Sequence, residues 1–326
     1  MTPEQRGRYP VGRAVILPLR RIWATLMTSR SRGAWSLGLL SAGFAVLGAL
    51  VAFAGGTATA RDRLYTGTPE FKVWGALIIG IVAALPAAWR VGVDLLRRLG
   101  LDPRRVLRSW AVPILAAVLL VAAAAVLGGR YLSGQRVSGY QGSVRITVIY
   151  LLGLAAAAPA LAAMWECYRQ LADGDDGMAR SPDAEITRLL LLRECLLAAL
   201  TTLGLLVSAG VLATGAQRQA VLANPRDSAS YPPAYVLIWG LGFSALLLVN
   251  FLPAFRRLTG LARAIIDRIV PIQFPGSDRW QDRLQERKDL ADLLKVTSST
   301  KDTVTSAILV AGPLISSAFS LFLPGS

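Results

Sequence analysis

The 326-residue chain contains no histidine. That removes the commonest metal ligand, the commonest proton shuttle and the usual base of a catalytic triad in one stroke. Cysteine is nearly as scarce. Cys167 and Cys195 are the only two, 28 positions apart, with no metal-ligand spacing around either. Both fall at expected cytoplasmic helix ends, where thiols stay reduced, so no structural disulfide is expected. Charge is also sparse, at 17% of residues against roughly 25% in soluble domains. Lysine is scarcer than arginine. Walker A, H-E-x-x-H and Gly-rich strand-to-helix sequences are missing. The chain therefore reads as a non-enzymatic protein, without a cofactor or metal motif. Asp173, Asp175 and Asp176 form an acidic cluster, but its spacing is not that of an EF-hand, and it reads as a solvated turn.

Apolar residues are abundant. They make up 54% of the chain, mean hydropathy is +0.49, and charges lie in clusters separated by long uncharged runs. A bilayer core about 30 Å thick needs roughly 20 apolar residues in a helix. Seven uncharged stretches approach that length: Leu37–Gly56, Val73–Trp89, Ser109–Gly129, Ile146–Trp165, Leu196–Gln217, Ala234–Phe255 and Thr303–Leu323. The expected fold is all-α, a polytopic membrane bundle of about seven spans. Six are strongly apolar. The seventh is polar enough to cross, re-enter or pack against the others. The first run is too long, and starts too far into the chain, for the apolar region of a cleaved signal peptide.

Orientation follows from the basic residues. Segments 1–34, 90–108, 166–194 and 256–302 hold seven, six, four and ten Lys or Arg; the alternating loops hold three, three and two. A 27-to-8 bias puts the first set, and the amino terminus, in the cytoplasm. The expected division is a basic amphipathic segment 1–34, a six-helix core 35–255, a cytoplasmic amphipathic segment 256–302, and a carboxyl-terminal hydrophobic segment 303–326. Within them, Val11–Met27 and Leu258–Val270 have the pattern of basic amphipathic helices along an inner leaflet. Ser277–Val296 reads as a cytosolic helix docking on its neighbours or on another subunit.

Spans two, four and six share a pattern: an outer aromatic (Trp74, Tyr150, Trp239), an inner Pro-Ala pair (Pro86-Ala87, Pro159-Ala160, Pro253-Ala254), then an arginine (Arg90, Arg169, Arg256). This predicts three repeated helical hairpins followed by the seventh segment. The spans contain no Asp, Glu, Lys or Arg, which argues against proton coupling through intramembrane carboxylates. In the seventh segment Thr305, Gly312, Ser316 and Ser320 fall on one helical face, a candidate pore-lining or helix-packing stripe.

Charge supplies the remaining candidates. Arg130, Arg136 and Arg145 lie in an outer loop without an acid and form a candidate anion-attracting cluster. Arg97, Arg98, Arg104, Arg105, Arg256 and Arg257 make a candidate basic inner face, suited to anionic lipid headgroups, an anionic ligand or a cytosolic partner. No nucleic-acid-binding motif accompanies them. The leading expectation is a homo-oligomeric channel or pore, anion-favouring and gated through its basic cytosolic face. The alternatives are an accessory subunit that anchors or regulates a cytosolic partner, and a secondary transporter or lipid-handling protein. The bias towards Ala, Leu and Arg resembles that of membrane proteins from high-GC bacteria, which implies a multi-pass protein of the plasma (inner) membrane.

Overall fold

The computed structural model describes residues 30–53, 66–106, 144–173, 181–223, 233–271, 280–294 and 300–322. Among them the chain is all-helical, with no strand. Its helices are α1 (Arg30–Phe53), α2 (Pro69–Arg98), α3 (Val144–Ala172), α4 (Pro182–Leu222), α5 (Pro233–Ile269), α6 (Trp280–Leu293) and α7 (Thr300–Phe322). Local sequence explains where they start and stop. Thr68 and Ser181 cap α2 and α4 by accepting from Phe71 N and Ala184 N, and a proline follows each cap. Beyond α2, Gly100 adopts φ +73°, a left-handed conformation that a residue with a Cβ disfavours.

Helices α1 to α5 are long and apolar enough to cross a membrane. In α7 the apolar part with described side chains, Ala307–Ser320, is shorter. The apolar stretch 109–129, and with it one half of the second expected hairpin, lies outside the described residues.

Two of the expected domain junctions fall inside helices. Helix α5 runs unbroken through position 255, so the expected junction between a membrane core and a cytoplasmic segment falls inside one rod. The junction at 34 likewise falls inside α1. Charge marks where a helix leaves an apolar environment, but nothing at either junction breaks the backbone hydrogen-bond ladder. Prolines 86, 159, 253 and 313 all lie within continuous helices.

At 41 and 37 residues, α4 and α5 are the longest elements. At 1.5 Å per residue they measure about 60 and 55 Å, far more than a bilayer core. The excess lies at one end of the bundle, where α2 to α5 carry Arg90, Arg97, Arg98, Arg169, Arg188, Arg256, Arg257 and Arg268. This is the basic end of the molecule.

Helix α4 is the central element, packing on α2, α3, α5 and α7; α1 lies on α2, and α6 on α5. Burial along α4 shows its position. In its first half, Glu185, Leu189, Leu192, Leu196, Ala199 and Leu203 form a single helical stripe. From Val211 to Val221 nearly every residue is buried, as in a helix ringed by neighbours. Two apolar cores result. One, at the basic end, joins Leu95, Leu96, Leu171, Leu192, Leu258, Ile266 and Leu294. The other, towards the opposite end, joins Phe71, Trp74, Val82, Ala213 and Ala220. Trp74, expected among the outer aromatics, is only 4% exposed and packs against Phe71.

Small residues let the helices approach closely. A Cβ on Gly92 of α2 would fall 2.5 Å from Ala160 N and 2.8 Å from Pro159 Cβ on α3. Larger apolar side chains point outwards. Leu39, Leu205, Ile238, Val249 and Phe319 are each more than half exposed, as suits contact with lipid tails.

Candidate functional site at the basic end

A helix ends with four carbonyls that lack an intrahelical donor, and its negative dipole end favours a cation. At the basic end these groups are satisfied by side chains from other helices. Arg257 of α5 donates from Nε to Leu171 O (3.0 Å) and from Nη2 to Ala172 O (3.2 Å), capping α3. Arg188 of α4 donates to Gln170 O of the same turn. The Gln170 side chain in turn donates to Leu99 O at the end of α2 (3.2 Å). Arg287 of α6 donates to Val270 O just past α5 (3.1 Å) and pairs with Asp267. Side chains thus tie the ends of α2, α3, α4, α5 and α6 into one polar network.

Two carboxylates are buried in this region. Glu166 is 2% exposed and pairs with the outward-facing Arg169 at 2.8 Å. Glu185, 6% exposed, lies 3.7 Å from Arg268. Sequence reading stops the apolar span at Trp165 and leaves Glu166 outside it, whereas the helix carries Glu166 into the packed interior one residue later. Cys167 and Cys195 are both free and fully buried in the adjoining core, where Cys167 Sγ donates to Leu192 O. Among the described residues, no group of three or more His, Cys, Asp or Glu side chains is arranged to hold a metal ion.

The six inner arginines have different roles. Arg97, Arg98, Arg104 and Arg105 surround the turn at Gly100, all with exposed side chains. Arg97 pairs with Asp94 at 3.0 Å, and Arg105 with Asp102 at 3.7 Å. Arg256 is exposed on α5. Its neighbour Arg257, half-buried, is the α3 cap. Sequence alone groups Arg256 with Arg257, but a rotation of about 100° per residue sends adjacent side chains in different directions. Trp165 and Asn250 sit above this network, where Trp165 Nε1 donates to Asn250 Oδ1 at 2.8 Å and joins α3 to α5.

The other candidates lie elsewhere. Arg130 and Arg136 fall outside the described residues. Arg145 is in the first turn of α3 rather than in a loop, because the helix starts at Val144, ahead of the apolar run. Thr305 lies in α7, outside the described side chains. Two other members of the α7 stripe, Gly312 and Ser320, meet α4. Gly312 faces Ser208, and Ser320 faces Gly215 and accepts from Gln219 Nε2 at its carbonyl (3.4 Å). Ser316 is only half-buried, while Pro313, Ser317 and Ser320 are buried. The i, i+4 steps from 312 to 320 drift by about 80° around the helix. The 4-then-3 steps from 313 to 320 drift by only about 20°.

Contact levels also define direction. Leu309, Gly312 and Ser320 meet Gly204, Ser208 and Gly215 in rising order, so α7 runs parallel to α4. Ser317 meets Gly240, while Leu314 N donates to Ser244 Oγ, so α7 is antiparallel to α5. Near the same end as Ser320, Tyr150 stacks on Trp239, and its hydroxyl lies 3.5 Å from Thr214 Oγ1.

Compared with protein-family models, curated proteins and solved structures, the chain matches none.

Proposed function

We propose that the chain is a non-enzymatic, multi-pass protein of a bacterial plasma (inner) membrane, with its amino terminus in the cytoplasm. Its role in this reading is that of an accessory subunit, anchoring or regulating a cytosolic partner through the basic end. One observation carries the reading. The helices α2 to α5 continue past their apolar runs, and one apolar core continues with them, from Met164, Ala199 and Ala254 inside the runs to Leu171, Leu192 and Ile266 beyond, where Arg188 and Arg257 tie the helix ends and Arg287 fastens α6. A protein that only needed to span a bilayer would have no use for about 20 Å of additional ordered helix on α4 and α5. Outward arginines around Gly100 supply the charge for a partner's acidic surface or for anionic headgroups. The segment 109–129 and α7 complete seven crossings in this reading, with the carboxyl terminus opposite the basic end.

Crosslinking in native membranes followed by purification tests it. A stoichiometric cytosolic protein should be recovered with the wild type and lost with Arg98→Glu/Arg104→Glu. Recovery of the chain alone sinks the proposal.

A homo-oligomeric, anion-favouring channel is the second reading. It draws support from the buried polar residues Thr214, Gln217, Gln219, Ser244, Ser317 and Ser320 inside the apolar bundle. Against it, the polar face of α7 is occupied within the same chain. Planar-bilayer recording of purified protein separates the two readings, because a silent bilayer or a cation preference removes the channel.

A further inference from the structure

Helix α7 is the element whose place depends most on its neighbours. Pro313 has no N–H, which leaves Leu309 O, four residues earlier, without its helical donor. In hydrocarbon such a group must find a partner within the protein. Leu309 O faces Gly204 of α4, where an added Cβ would come within 3.0 Å of it. The next amide, Leu314 N, donates to Ser244 Oγ of α5 at 3.2 Å. Ser244 is itself buried, 9% exposed, so its hydroxyl has been withdrawn from lipid to meet this amide. On α5, Gly240 opens the space next to the same turn: a Cβ there would lie 2.8 Å from Pro313 O. The proline turn of α7 is thus enclosed on both sides by groups that accommodate its altered backbone.

Apolar contacts between helices give little net stabilisation in a bilayer, since lipid tails are equally apolar. Polar contacts and close fit therefore decide where α7 sits. We infer that Ser244 is a latch for α7: its hydroxyl, bonded to the amide beside the proline, holds the helix in the groove between α4 and α5. Without that bond α7 leaves the groove for a substantial fraction of the time. Helix α6 precedes α7 in the chain and is fastened to the end of α5 by Arg287. The inference is independent of which partner, if any, the basic end receives.

A disulfide trap tests it. A Cβ on Gly312 would lie 4.0 Å from Ser208 Cβ, within the span of a disulfide. The full chain is prepared in lipid vesicles as Ser208→Cys/Gly312→Cys, with Cys167→Ala and Cys195→Ala. Linked peptides are then quantified by mass spectrometry after timed oxidant pulses. The pair should form a disulfide readily. Adding Ser244→Ala lowers the docking equilibrium about threefold to twentyfold, the range expected for one interhelical hydrogen bond, and should slow disulfide formation measurably but by less than that factor. Ser244→Thr, which keeps the hydroxyl, should restore the parent rate. An unreactive parent pair overturns the inference, as does an unchanged rate in Ser244→Ala. If Ser244→Ala no longer gives a monodisperse protein, the near-isosteric pair Ser244→Thr and Ser244→Val decides, with equal rates counting against the latch.

Discussion

Gly92 offers a sharp test of how α2 and α3 are held together. In an alanine variant the new methyl would meet Ala160 N at 2.5 Å, Pro159 C at 2.9 Å and Pro159 Cβ at 2.8 Å. Two of these atoms are backbone and the third belongs to a proline ring, so no flexible side chain can move aside. Overpacking of this kind costs about 1–3 kcal/mol. Alanine also favours the helix by about 1 kcal/mol relative to glycine, which partly masks the clash. Gly80, on the same helix, isolates the steric part, since among the described residues nothing lies within 4 Å of its added Cβ. Gly80→Ala should be neutral or stabilising. Gly92→Ala should be less stable than Gly80→Ala by about 1–3 kcal/mol, a factor of roughly 5 to 150 in the folded ratio. Thermal unfolding of both purified variants in the same detergent, followed by size-exclusion fluorescence, measures the ordering. Equal stability would refute the close α2–α3 contact and the packing built on it.

Other outcomes follow from the same geometry. Arg257→Ala should destabilise the basic end by about 1.5–3 kcal/mol, the range for hydrogen bonds made by a charged group. Arg257→Lys should restore little, because an ammonium lacks the fork that reaches Leu171 O and Ala172 O together; chemical denaturation of the three proteins checks this. Arg256→Ala, at the exposed neighbouring position, should change stability by no more than about 0.5 kcal/mol in the same assay. Cys167 and Cys195, both fully buried, should resist maleimide in intact vesicles and react once the protein is denatured in SDS, as followed by mass shift. Asn250→Leu removes the acceptor of the Trp165 indole and should alter Trp165 emission while costing only about 0.6 kcal/mol.

The membrane character of the chain is written in its sequence, because a bilayer imposes a length and a polarity that a run of residues either meets or does not. Leu37–Gly56, Val73–Trp89, Ile146–Trp165, Leu196–Gln217 and Ala234–Phe255 each lie largely within a helix of the structure for that reason. The caps at Thr68 and Ser181 are local too, each bonding an amide three residues on. Glycines are different. Nothing in the sequence distinguishes Gly92, pressed against α3, from Gly80, which meets no described neighbour, since only the path of a second helix decides the matter. Arg256 and Arg257 are likewise adjacent and chemically identical, yet one faces outwards and the other caps α3. Glu166 reads as the end of a span until packing buries it beside Arg169.

The α7 stripe shows the division most clearly. By itself the sequence determined that small and hydroxyl residues recur along one side of an apolar helix, because spacing in the chain sets angle around its axis. Only the tertiary structure decided that Ser317 and Ser320, rather than Ser316, are the buried serines, and that α4 and α5 receive that face. Helical phase is a property of one segment, whereas a contact needs two, and Ser244 and Gly204 lie about 70 and 105 residues before the atoms they meet.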